Sequence, residues 1–123
     1  MLFRSRIIDE LRRWNGNEET LSRMESALAL AARGGGDVSA LGLGWVGEEA
    51  LAIGLYSTLA SASFNDAMVI ASNHDGDSDS TAAIAGQIYG AWKGMNEIPH
   101  NWILALDVLE PLLDLIAQAN AVI

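Results

Sequence analysis

The residues Asn73-His74-Asp75-Gly76-Asp77-Ser78-Asp79-Ser80-Thr81 hold the densest chemistry in the chain. Asp75, Asp77 and Asp79 sit at alternate positions, with hydroxyl side chains beside them. Carboxylates this close repel one another, and a bound cation relieves the repulsion. Their oxygens are the hard ligands that suit Mg²⁺ or Ca²⁺. A solvated loop in which Asp79 or Ser80 caps the following helix is the alternative, and spacing alone leaves both open.

Three named metal motifs fail against this stretch. An EF-hand loop accepts Asp75, Asp77 and Asp79 as its first ligands, but Ser80 and Gly86 stand where it needs Gly and Glu. Asp77-Ser78-Asp79-Ser80-Thr81 also fits the Asp-x-Asp-x-Thr of haloacid-dehalogenase-like phosphatases. That motif follows an apolar strand, whereas His74-Asp75-Gly76 precedes it here, and Lys93 is the sole lysine. Zinc needs histidine or cysteine ligands; the chain offers His74, His100 and no cysteine.

A second cluster, Gly42-Leu43-Gly44-Trp45-Val46-Gly47, has dinucleotide-binding spacing but no preceding strand. Glu48 and Glu49 follow where a pyrophosphate would sit. We read it as a loop whose backbone approaches something closely, either a ligand or another helix. Gly42, Gly44 and Trp45 are therefore candidate substrate contacts, Trp45 by stacking on a ring, with core packing as its other fate. His74 either contacts substrate or pairs with its acidic neighbours. Trp14, Trp92 and Trp102 are assigned to packing.

The elements that must position these residues read as helices. Ile7, Ile8, Leu11 and Trp14 recur at helical spacing, and Asn15-Gly16 stops that segment. Asn17 is expected to cap the next helix, whose apolar stripe is Leu21, Met24, Leu28 and Ala31. Gly34-Gly35-Gly36 forms a flexible joint within one domain. A helix starting near Glu48 carries Leu51, Leu55 and Leu59 on one face, with Ile53 and Tyr56 beside them. Ser63 to Asp66 resembles a shortened capping box before helical residues 67–72. After the aspartate loop a helix runs from about 79 to 93. Its Ala82, Gly86, Gly90 and Gly94 fall four apart, which predicts a ridge against which another backbone packs closely. Residues 96–99 read as a turn, and residues 101–123 as one or two helices broken near Pro111. The expected fold is all-α, a compact orthogonal helical bundle forming one domain over residues 1–123.

Composition narrows the function. The chain has 123 residues, half of them hydrophobic, enough for a core. Its net charge of -9 repels phosphate backbones, so no nucleic-acid partner is expected. No uncharged stretch reaches the roughly 18–20 apolar residues of a membrane span. Asp9 and Glu10 interrupt any signal-peptide core. The absence of cysteine fits a reducing compartment, and a cytoplasmic location is expected.

Three segments together carry a resemblance. They are Gly44-Trp45-Val46-Gly47-Glu48-Glu49-Ala50-Leu51-Ala52-Ile53, then residues 73–86 with Asp75-Gly76-Asp77-Ser78-Asp79-Ser80-Thr81, then Ile98-Pro99-x-x-Trp102. In this order they resemble the C-terminal part of the ADP-ribosylglycohydrolase family, which includes dinitrogenase-reductase-activating glycohydrolases and the J1 crystallins of jellyfish. The resemblance runs from about residue 21 to the C-terminus, and residues 1–20 carry least of it. It implies an all-helical fold and a two-Mg²⁺ site, with Asp77, Asp79 and Ser80 as metal ligands and Asp77 and Asp79 as catalytic groups. It also implies hydrolysis of a glycosidic bond to ADP-ribose, with ADP-ribose or an ADP-ribosylated molecule as the substrate.

Family enzymes are longer and draw their remaining metal ligands from an N-terminal Ser/Thr-Asp-Asp motif. This chain contains no such tripeptide. The expectation is therefore a partial domain, holding only part of the metal site and inactive by itself. It would work with a complementary N-terminal half, or self-associate through the apolar surface left uncovered. The alternative is a shortened, non-enzymatic family member acting as a binding or structural protein.

Overall fold

The computed structural model describes residues 2–123. The helices run α1 (Leu2–Arg12), α2 (Glu18–Ala32), α3 (Gly47–Ala60), α4 (Phe64–Ser72), α5 (Ser78–Lys93), α6 (His100–Leu104) and α7 (Leu109–Val122). Short 3₁₀ turns cover Val38–Leu41 and Met95–Glu97. No strand occurs among the described residues, so the fold is all-α, as expected.

The core is built around α3, which packs against α2, α4 and α5. Ala50 and every residue from Ala52 to Thr58 are buried. A helix with apolar or small residues on all sides can only be a core helix. The single face expected from Leu51, Leu55 and Leu59 is thus too narrow a description. Ser57 and Thr58 enter this core without loss, because each hydroxyl bonds to a carbonyl one turn back, Ile53 at 2.7 Å and Gly54 at 3.0 Å.

The closest helix contact differs from the expected one. Gly54 of α3 meets α5, where a Cβ would fall 3.1 Å from the Ala85 nitrogen and 2.6 Å from Ile84 Cγ2. Thr58 Oγ1 lies 3.3 Å from the Ala85 carbonyl in the same seam. The glycine ridge of α5 does not serve this purpose. Gly90 and Gly94 have open space around them, and Gly86 meets only Met68 at ordinary contact distance. The small residue that allows close approach is on the partner helix.

Other local expectations shift similarly. Met24, Ala27 and Leu30 form the buried face of α2, rotated slightly from the expected stripe. Asn17 does not cap α2 with its side chain; its Nδ2 donates to the Leu11 carbonyl at 2.7 Å and ties α2 to the end of α1. The three-glycine joint is pinned, with Gly36 N–H donating to the Tyr56 hydroxyl at 3.1 Å. Ser63 does cap α4, accepting from Asp66 N–H at 3.1 Å, while Asp66 accepts from Ala62 N–H at 2.9 Å. Pro111 breaks nothing: it lies in the first turn of α7, where its missing N–H has no partner to lose, and the chain turns earlier, at residues 105–108.

A second apolar cluster joins Phe64, Ala67 and Tyr89, with Met68 and Ile98 packed on it. Trp102 and Trp92 join its edge through edge-on ring contacts with Phe64 and Tyr89, as packing residues should. Trp14 does not pack; it is 67% exposed and donates to Glu10. Helix α7 buries none of its residues.

Candidate functional site

The site begins where the aspartate loop enters α5. Asp77 occupies the N-cap position and Asp79 the first turn. Carboxylates are favourable at this end of a helix because its free N–H groups and dipole are positive. The Asp79 carboxyl is held below the usual aspartate range, first by the Asp77 side chain and then by the backbone N–H groups of Ser80 and of Asp79 itself. Ser80 follows one residue on, half-buried.

The loop ahead of this pair is braced from inside. His74 Nδ1 accepts from Gly76 N–H at 3.1 Å, which assigns the ring proton to Nε2, 2.8 Å from Thr81 Oγ1. Thr81, fully buried, in turn donates to the Ala71 carbonyl at 2.6 Å and so ties the end of α4 to the start of α5. Both ring nitrogens of His74 are used within the protein.

The glycine loop lies directly against the aspartate loop. Asp77 N–H donates to the Leu43 carbonyl at 2.8 Å. A Cβ on Gly76 would collide with that same carbonyl. Gly44, at φ +81°, is buried against Thr81 and Asp77, 2.7 Å from Thr81 Cγ2 by the same measure. Gly42, at φ +106°, has no room for a side chain because Glu49 fills the space. So Gly42 and Gly44 serve close approach of backbone to protein, and Trp45 is the most exposed of the large side chains in this loop, at 67%.

Glu49, which the sequence shows only as an acid following the glycine cluster, joins the site through that loop. Its Oε2 accepts from Leu43 N–H at 3.1 Å and Gly44 N–H at 3.2 Å, and its Oε1 lies 3.4 Å from Arg23 Nη2. The sequence offered one signal, an acid in the first turn of α3, which reads as a helix-dipole residue. Nothing in the spacing indicates that it reaches back to the loop.

Two carboxyl groups and a neighbouring hydroxyl fit a hard divalent cation in donor chemistry. They fall short of the six oxygens that Mg²⁺ takes. Among the described residues no group of three or more histidine, aspartate or glutamate side chains gathers to hold a metal ion. Nor is any described helix long and apolar enough to cross a membrane.

Comparison with known proteins agrees with the motif resemblance. The family model described as ADP-ribosylglycohydrolase matches residues 3–122, beginning well ahead of the stretch that carries the motifs. The ADP-ribosylarginine hydrolase Tri1 of Pseudomonas putida (strain GB-1) is 38% identical over 55 residues. That alignment spans 45% of this chain and 15% of the relative, so the chain corresponds to a small share of that protein. No solved structure matches the chain significantly.

Proposed function

The chain belongs to the ADP-ribosylglycohydrolase family, and from that membership we propose that it carries part of a Mg²⁺-dependent site for hydrolysing a glycosidic bond to ADP-ribose. The observation that carries this reading is the placement of Asp77 at the N-cap and Asp79 in the first turn of α5, with the glycine loop bonded to Asp77 through the Leu43 carbonyl. Asp77, Asp79 and Ser80 would hold the metal, which when bound supplies Lewis-acid polarisation of water and ribose hydroxyls. Asp79, kept ionised, is suited to hold a cation rather than to take up a proton. Trp45 offers a ring face to the sugar or base. His74 braces the loop from behind.

The remaining oxygen ligands, in this reading, come from a complementary N-terminal half, which also covers the apolar surface of α6 and α7. An arginine-linked ADP-ribose is the first substrate to test, because the Pseudomonas relative bears that activity in its name. A cytoplasmic setting belongs to the same reading. The second reading, a shortened member that binds without cleaving, is favoured by the short ligand set.

Calorimetric titration with Mg²⁺ and ADP-ribose together tests the site. Saturable ADP-ribose binding that requires Mg²⁺ is expected, and no heat at millimolar ligand would overturn it. Where binding is seen, release of ADP-ribose from an ADP-ribosylated arginine peptide separates the hydrolase from the binding protein.

A further inference from the structure

We propose that Glu49 is a positioning residue for the Asp77–Asp79 pair, acting through the glycine loop rather than by touching a ligand. This inference rests on the reading of that pair as the metal-binding site.

The path is continuous and short. One carboxylate oxygen of Glu49 receives the consecutive N–H groups of Leu43 and Gly44, at 3.1 and 3.2 Å. The other faces Arg23, whose second guanidinium nitrogen lies 3.4 Å from the Leu41 carbonyl at the loop's entrance. The loop is thus held at both its entrance and its middle by one ion pair. The Leu43 carbonyl, on the residue so clamped, accepts the Asp77 N–H at 2.8 Å. That bond sets the backbone from which the Asp77 side chain departs.

Steric fit makes the coupling stiff. Gly42 leaves no gap around Glu49, and Gly76 leaves none around the Leu43 carbonyl. A displaced carbonyl would therefore move the aspartate loop rather than slide past it. Glu49 is four-fifths buried, with side-chain exposure of 19% against 34% for Arg23. A carboxylate in that setting is worth more than an exposed surface pair because its hydrogen bonds are charge-assisted and partly shielded. Outer-shell groups that orient metal ligands change affinity by about 10–100-fold when removed.

The test uses the full chain with Glu49→Ala and Glu49→Gln, read by amide hydrogen exchange and Mg²⁺ titration. Glu49→Ala is expected to speed exchange at Leu43, Gly44 and Asp77 by about tenfold or more, and to weaken Mg²⁺ binding by about tenfold. Exchange at Ile53 and Leu55 should stay slow. Glu49→Gln keeps one carbonyl acceptor and should fall between wild type and Glu49→Ala; it also serves if the alanine variant does not fold. Faster exchange at Leu43 and Gly44 with Asp77 and Mg²⁺ affinity unchanged would overturn the proposal. So would a uniform rise that includes Ile53 and Leu55, since a merely structural role predicts that. If the wild type binds no Mg²⁺, the reading of the pair as a metal site fails, while the Asp77 amide still decides whether Glu49 acts through the loop.

Discussion

Gly76 lies so close to the Leu43 carbonyl that its α-carbon has no room for a side chain on that side. The same carbonyl accepts the Asp77 N–H. Because Gly76 is not in a left-handed conformation, space alone requires glycine here. Gly76→Ala is therefore expected to push the two loops apart and cost about 1–3 kcal/mol of stability, the usual penalty for forcing a methyl group into a filled site. Urea unfolding of the two proteins reads this directly. A change below about 0.5 kcal/mol would mean the loops yield without strain.

The seam between α3 and α5 makes a parallel case in the core. Gly54 faces the Ala85 nitrogen, which is backbone and cannot swing aside. Gly54→Ala should lower stability by about 1–3 kcal/mol. Gly90→Ala, on the face with open space, should raise it by roughly 0.5–1 kcal/mol, since alanine is the better helix former. Thermal unfolding of both variants checks the pair, and the opposite order would return the close-packing role to the α5 glycines.

These two seams mark what the sequence could and could not tell. Helical periodicity, the Ser63 cap and the glycine-rich loops are local signals, and they located the starts of α3 and α5 to within a residue, whereas α4 begins three residues earlier than expected and the C-terminal break falls at residues 105–108 rather than near Pro111. The aspartate pair was legible because three carboxylates in five residues are electrostatically unusual. Glu49 was not, because its bonds to Leu43 and Gly44 depend on how α3 folds back beneath the loop. The α5 ridge misled for the opposite reason. Glycines four apart look like a contact surface, but which helix supplies the gap depends on which face meets the core.

Asp79 contributes to the pH dependence, alongside Asp37, whose carboxyl is lowered by the Ser39 N–H. The Asp79 carboxyl is held below the usual aspartate value, first by the Asp77 side chain and then by backbone N–H groups. A lowered folded value contributes stability that is complete above the unfolded pKa of about 3.9 and is lost as pH falls through the folded value. Asp79→Asn should remove that part of the acid limb, weaken Mg²⁺ binding by about tenfold or more, and leave helix content unchanged. Circular dichroism against pH, with a Mg²⁺ titration at pH 7, tests both. Equal Mg²⁺ affinity in the variant would remove Asp79 from the metal.

Trp45 projects from the clamped loop and makes no use of its ring in the core, being 67% exposed. Trp45→Ala should leave the unfolding midpoint within about 0.5 kcal/mol of wild type. ADP-ribose affinity should fall by about tenfold, the scale of one lost aromatic stack. A variant that binds ADP-ribose as well as wild type would take the ring out of the site.

The C-terminal helices carry the last expectation. Helix α7 buries no residue, and with α6 it lines an apolar groove of about 260 Å³ walled by Trp102, Leu109, Leu113 and Ile116. Leu104, Leu115 and Val122 stand further out, more than half exposed. So many large apolar side chains on neighbouring turns leave an uncovered apolar face, and large exposed apolar faces mark association sites. Water contact with that surface is unfavourable by about 25 cal/mol per Å², so the isolated chain should self-associate as its concentration rises. Leu113→Glu places a charge in the groove wall beside the acidic Glu110 and Asp114, and should return the chain to monomer at the same concentration. Light scattering from micromolar to millimolar protein reads both species. A wild-type mass that stays monomeric throughout would count against a partial domain with an uncovered face.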